Sequence, residues 1–93
     1  MPGRVFFSTA ALRDLANVVD WLTQPGSGYR AHQKIDEIWD GIDSLPDNPA
    51  LYAWDRDRPD CRLAVFHGYA VRYRVRHDGS IWVERVFGPG RLR

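Results

Sequence analysis

The sequence predicts an α+β fold: a short N-terminal strand, an αα-hairpin and a three-stranded antiparallel meander, with the helices packed on one face of the sheet. Three observations carry this. From Tyr69 to Arg76 the chain reads Tyr-Ala-Val-Arg-Tyr-Arg-Val-Arg, a period of two that gives a strand one apolar and one cationic face. His67-Gly68 precedes that stretch and His77-Asp78-Gly79 follows it, so it is the middle strand of a meander. Upstream, two stretches with apolar residues at helical spacing are separated only by Pro25-Gly26-Ser27-Gly28, a link short enough to make the helices antiparallel neighbours.

The elements follow in order. Residues 3–8 form the first strand, with Val5 and Phe7 on one face and Arg4 and Phe6 on the other. Ser8 or Thr9 then caps a helix over 9–24, in which Leu12, Leu15, Val19 and Leu22 recur at helical spacing and Asp14 lies near the positive end. The second helix covers 28–45 with the stripe Ala31, Ile35, Ile38, Ile42 and Leu45, and Pro46-Asp47-Asn48-Pro49 ends it. Residues 50–60 are a loop holding Tyr52, Trp54 and the run Asp55-Arg56-Asp57-Arg58, too polar for the core apart from its two aromatics. The meander strands are expected at 62–66, 69–76 and 80–87.

Register follows from side-chain compatibility. A three-residue His77-Asp78-Gly79 loop, with Gly79 left-handed, pairs Val75 with Ile81, Tyr73 with Val83, Arg74 with Trp82 and Arg72 with Glu84, and sets Arg85 opposite Val71. The His67-Gly68 turn sets Phe66 against Tyr69, Ala64 against Val71 and Arg62 against Tyr73. Arg62 and Arg85 then both fall on the core-facing side, where a guanidinium must reach the rim or meet an anion. If they converge across the middle strand they make the best anion site in the sequence; the alternative is that each pairs with an acidic neighbour such as Asp60 or reaches outward to solvent.

Composition bounds the function. At 93 residues one domain is expected over 1–93, and a hydrophobic content of 44% with four Trp indicates a globular chain with an aromatic-rich interior. No apolar run approaches the ~18 residues of a membrane span, and neither a signal peptide nor a membrane helix is read. A lone Cys61 has no internal disulfide partner and fits a reducing cytoplasm; nothing beside it marks a nucleophile. Asp36, Asp40 and Asp43 lie opposite the apolar stripe of the second helix, a solvated face and not a metal site, and no cofactor motif is read. Charge is two-sided. Residues 1–55 carry four basic and eight acidic groups, and residues 56–93 carry nine and four. Twelve of the thirteen basic residues are Arg, the planar fork that suits phosphate or carboxylate, which points to an anionic partner for the C-terminal half.

Phe7-Ser8, Ala11, Asp14-Leu15, Trp21-Leu22, Leu45-Pro46, Pro49, Arg62, Gly68-Tyr69-Ala70-Val71-Arg72-Tyr73 and Glu84-Arg85-Val86-Phe87-Gly88 stand in an order and spacing that resembles the RelE/ParE superfamily of toxins from bacterial type II toxin-antitoxin systems. The resemblance implies a cytoplasmic toxin neutralised by a ParD-like antitoxin. RelE-like members cleave mRNA on the ribosome; ParE-like members poison DNA gyrase. The position after Gly68-Tyr69 where RelE-like sequences carry a catalytic Arg is Ala70, and Gly88-Pro89-Gly90-Arg91-Leu92-Arg93 holds no Tyr, His, Glu or Lys. A proton-transfer group is therefore missing where a nuclease needs one. The ParE-like reading follows, with a metal-independent endoribonuclease using Arg62 and Arg85, or a non-toxic antitoxin-binding module, as the alternatives. For target or anion binding the candidates are Arg62, Arg85, Arg91 and Arg93. For the antitoxin they are Trp39, Tyr52 and Trp54 as apolar anchors and Arg72, Arg74 and Arg76 as counter-charges.

Overall fold

Ser8 is the point at which strand becomes helix. Its backbone is extended, its hydroxyl accepts the Ala11 N–H at 2.9 Å, and its own N–H reaches the Val83 carbonyl. A computed structural model describes residues 4–89, with β1 at Val5–Phe7, α1 at Thr9–Leu22, α2 at Gly28–Ser44, β2 at Arg62–Phe66, β3 at Tyr69–Val75 and β4 at Ile81–Phe87. The strands form one sheet in the order β1-β4-β3-β2. β1 runs parallel to β4, and the other pairs are antiparallel.

The helical hairpin buries one face of this sheet. Leu15 and Leu22 of α1, Ile38 and Ile42 of α2, and Leu45 just beyond it meet Val71, Tyr73, Ile81, Val83 and Val86. The stripe of α2 is the expected one, but α1 is rotated. Ala11, Leu15, Val18 and Leu22 face the sheet, and Leu12 is 53% exposed. Asp14 explains the rotation: its carboxylate holds β4, and residues 11, 15 and 18 share its side of the helix while residue 12 lies nearly opposite. Asp14 therefore serves the sheet, not the helix dipole.

In the first hairpin every pair expected from the sequence is present, through a turn in which His67 and Gly68 both have positive φ. In the second, Val75 faces Ile81, Arg74 faces Trp82 and Tyr73 faces Val83, with Gly79 left-handed. Beyond that point the expectation fails. Arg72 pairs with Arg85 and Val71 with Val86, because Glu84 is an extra residue in a β-bulge. Val86 thereby takes the core position expected of Arg85. The groups that the bulge leaves unpaired are satisfied by the start of α1: the Ser8 hydroxyl donates to the Glu84 carbonyl at 2.6 Å, and the Val86 N–H donates to Asp14 Oδ2 at 2.9 Å. Asp14→Ala orphans that N–H beside a buried Val86 and is expected to lower stability by about 1–2 kcal/mol, read as a fall in Tm, whereas Asp14→Asn keeps an acceptor and loses less.

Candidate functional site

Residues 46–61 turn the exposed edge of β2 into a covered one. Trp54 bridges Arg62 in antiparallel fashion, the Leu63 N–H donates to the Ala53 carbonyl at 3.0 Å, and the Asp55 N–H donates to the Cys61 carbonyl at 2.8 Å. Alternation then sends neighbouring side chains to opposite faces. Tyr52 packs edge-on against Phe66 with ring centroids 5.6 Å apart, and the buried Tyr73 hydroxyl donates to the Pro49 carbonyl at 2.7 Å.

On the helix side of the sheet, past the end of the helical hairpin, Arg62 is held in place. Its Nη1 donates to the Tyr52 carbonyl at 2.7 Å, and its guanidinium lies 3.8 Å from the centre of the Trp54 ring. Among the described residues no carboxylate is within ion-pair distance of it. It opens on a groove of about 280 Å³ walled by Pro49, Ala50, Trp54, Asp60, Arg74 and Val75. Beneath it, burial pushes the Tyr73 hydroxyl up to about 12, against the opposing charge of Arg62. The pocket is thus a fixed cation beside an aromatic wall.

The outer face is rich in arginine but largely neutralised. Arg72 Nε donates to Asp55 Oδ2 at 2.7 Å with both side chains nearly buried, and Asp55 Oδ1 accepts the Asp57 N–H at 2.8 Å. Burial alone would raise the Asp55 pKa; the Arg72 and Asp57 hydrogen bonds outweigh it and hold the carboxyl below its usual 3.8. Glu84 takes Arg58 at 3.1 Å and Arg74 at 3.8 Å. Arg76 has no carboxylate partner among the described residues and lies instead over Trp82 and Phe6, at 4.4 and 5.3 Å.

Of the two readings of Arg62 and Arg85, convergence is not the one observed. Arg62 shares the face of Tyr73, whereas Arg85 shares that of Arg72, so they lie on opposite sides of the sheet. The bulge at Glu84 is the cause. Arg85 is chelated by Asp14 at 2.7 and 3.1 Å, and that hydrogen bonding raises its pKa. The antitoxin candidates are also spread out. Trp39 sits edge-on to Phe7 of β1 at one edge of the sheet, and Trp54 lies at the other. Arg72 is committed to Asp55. Arg91 and Arg93 lie outside the described residues. His67 is paired with Glu37 at 2.6 Å, and His77 is exposed in its turn. Cys61 is buried, and burial followed by the charges of Asp60 and Glu84 pushes its thiol up to about 11, which keeps it unreactive at neutral pH. Asp36, Asp40 and Asp43 are exposed, and among the described residues no three His, Cys, Asp or Glu are placed to hold a metal.

Sequence reasoning missed the roles of Asp14 and Asp55 as partners of Arg85 and Arg72. Asp55 reads as part of a polar loop, yet it is buried; the local sign of this is the aromatic pair Tyr52 and Trp54, which ties its segment to the sheet. No helix among the described residues is long and apolar enough to cross a membrane.

Residues 5–91 match the family described as ParE toxin of the type II toxin-antitoxin system, parDE. No curated protein matches. Among solved structures, one from a chromosomal ParDE toxin-antitoxin system of P. aeruginosa is similar at 15% identity and a TM-score of 0.75, covering 95% of this chain and 97% of that one. A chain of the toxin-antitoxin complex RelBE2 from Mycobacterium tuberculosis is similar at 20% identity and a TM-score of 0.68, covering 95% and 99%. At these identities the structural likenesses speak for the fold.

Proposed function

Because this chain belongs to the ParE toxin family of type II toxin-antitoxin systems, we propose that it inhibits DNA gyrase and is held inactive by a ParD-like antitoxin. The observation that carries the choice of target is the separation of Arg62 from Arg85. Stabilising a phosphorane takes converging donors, and cleaving RNA also takes a group that moves a proton near neutral pH. Arg85 is chelated on the far face, and the titratable hydroxyl beside Arg62 is that of Tyr73, which is pushed up to about 12 and bonded to Pro49. These residues suit binding better than phosphodiester cleavage.

Neutralisation is supported by geometry of a different kind. Trp39 and Trp54 are partly exposed at opposite edges of the sheet, so a partner that covers both has to wrap around the molecule. An extended antitoxin segment that orders on binding does so.

Expression without a partner tests the target, with one culture divided between assays of mRNA integrity and of plasmid supercoiling. Growth arrest with intact mRNA and altered topology is expected. Cleavage of mRNA within translated frames, or the absence of any arrest, overturns the gyrase reading. The first outcome would return Arg62 to a catalytic role and the second would leave an antitoxin-binding module.

A further inference from the structure

The helices cover one face of the sheet, and the opposite face is divided. Over part of it the segment 55–60 brings Asp55 to Arg72 and Arg58 to Glu84, so those groups are spoken for and largely shielded. Toward β1 and the 77–79 turn, no described residue lies over the face in this way. There the pairings Phe6↔Trp82 and Arg74↔Trp82 set two aromatic residues and an arginine in one row, and alternation adds Arg4 and Arg76 to the same face. Phe6 is 39% exposed, while Ile81 and Val83, the neighbours of Trp82, are fully buried on the helix side. The aromatic pair thus belongs to the solvent face and not to the core.

Arg76 is the centre of this patch. Its guanidinium lies 4.4 Å from the centre of the Trp82 ring and 5.3 Å from that of Phe6, so two rings fix a cation that is reached from solvent through an open depression walled also by Arg74, His77 and Asp78. Among the described residues neither Arg76 nor Arg4 has a carboxylate within ion-pair distance. Arg58 and Arg74 are balanced by Glu84 and Asp60. The carboxylate that remains nearby is Asp78: the Ser80 hydroxyl and N–H donate to its Oδ1, and those bonds, with a smaller contribution from the charge of Arg76, hold it below its usual 3.8. Two cations therefore stand against one carboxylate that is already hydrogen-bonded, beside an exposed ring.

We infer that this patch binds a short single-stranded stretch of DNA, with bases stacked on Phe6 and on the Arg76–Trp82 pair and with phosphates held by Arg4 and by the edge of the Arg76 guanidinium. Every base has a π-face, so stacking on an aromatic ring or a guanidinium plane is indifferent to sequence. An acidic protein surface would satisfy the two arginines and leave the Phe6 ring without a stacking partner. A duplex keeps its bases stacked on one another and would set its phosphates against that ring. The choice of DNA over RNA rests on the gyrase reading given above; the stacking and phosphate contacts rest on the patch itself.

The test uses the purified protein without gyrase and a labelled oligothymidylate of about eight nucleotides, followed by fluorescence anisotropy from low to moderate salt. Saturable binding is expected, with log affinity falling against log salt at a slope of about 1.4 for two phosphate contacts. Arg76→Gln should weaken it roughly tenfold and reduce the slope by about 0.7, whereas Phe6→Leu should weaken it about fivefold at unchanged slope. Lys34→Gln, which removes one exposed charge from α2, should change neither, and equal Tm values for the variants confirm that each is folded. The inference is overturned by an absence of saturable binding, by equal losses in Lys34→Gln and Arg76→Gln, or by full affinity in Phe6→Leu. A duplex or a polyglutamate peptide that competes as well as the oligothymidylate overturns it too, as does tighter binding of oligouridylate. Inhibition of gyrase supercoiling is read separately: inhibition without oligothymidylate binding defeats this inference alone, and binding without inhibition defeats the gyrase reading and leaves the site in place.

Discussion

Arg72→Met is expected to destabilise this protein by about 3 kcal/mol, measured as a lower denaturant midpoint at unchanged slope. Breaking a buried ion pair from one side costs more than the pair itself contributes, because the surviving charge is left without solvent or partner. Asp55 is that survivor. Its side chain is 5% exposed, and apart from Arg72 the acceptor contact with the Asp57 N–H remains. The 13% exposure of the Arg72 side chain admits some water and places the effect at the lower end of the range for such pairs. Asp55→Ala should cost less, since a long guanidinium released from its partner can reach solvent while a short carboxylate cannot.

The pH dependence checks the cause. In the wild type the Asp55 pKa is lowered below 3.8, so its contribution is present above the unfolded value and is lost as pH falls through the folded one. In Arg72→Met the hydrogen bond and charge of Arg72 no longer oppose burial, only the backbone contacts still lower the pKa, and the folded value rises above that of the wild type, so the variant loses less stability than the wild type as the acid is protonated. The gap between wild type and variant is therefore expected to narrow below about pH 4. A gap that stays constant with pH would assign the loss to packing of Arg72 against Phe87, whose ring centre lies 5.0 Å from the guanidinium.

Gly41→Ala should also destabilise, against helix propensity. Alanine gains about 1 kcal/mol over glycine inside a helix, and Gly41 lies within α2. A Cβ at this position would come within 2.5, 2.6 and 2.8 Å of three Phe66 ring atoms. The ring cannot step aside freely, since Tyr52 packs edge-on against it and its strand is paired along its length with β3. Overpacking of this kind costs about 1–3 kcal/mol, and with the ring held on both sides the cost falls in the upper part of that range, about 2–3 kcal/mol, so a net loss of roughly 1–2 kcal/mol is expected after the propensity gain. Phe66→Leu vacates part of the space. In the double variant the loss should fall below the sum of the two single losses, and strict additivity would show that the contact relaxes at no cost.

Much of the architecture was legible in advance because it rests on local chemistry. Ser8 before an apolar periodic stretch, proline and glycine between the helices, and glycine in both hairpin turns each act within a few residues. The Arg62↔Tyr73 register followed from a two-residue turn and a period of two. The candidate site was less legible, and one residue explains most of the difference. Pairing predicted by counting back from the turn holds until Glu84, after which the bulge shifts every partner by one and exchanges Arg85 for Val86 in the core. Nothing adjacent to Glu84 signals this. The bulge is stabilised by the Ser8 hydroxyl and the Asp14 carboxylate, more than seventy positions away in the chain.

By itself, then, the sequence determined the order of elements, the cap of α1 and the turns, the apolar faces of α2 and β3 and the family likeness, since each depends on periodicity or on neighbours along the backbone. Only the tertiary structure decided which arginines are free. Asp55 was brought to Arg72 by a loop that crosses the sheet edge, and Asp14 to Arg85 by a helix lying against β4, while Arg62 was left stacked on Trp54 with its charge unpaired among the described residues. Charges along a sequence carry no record of their distant partners, and in a folded chain burial and pairing across space determine which remain available to bind.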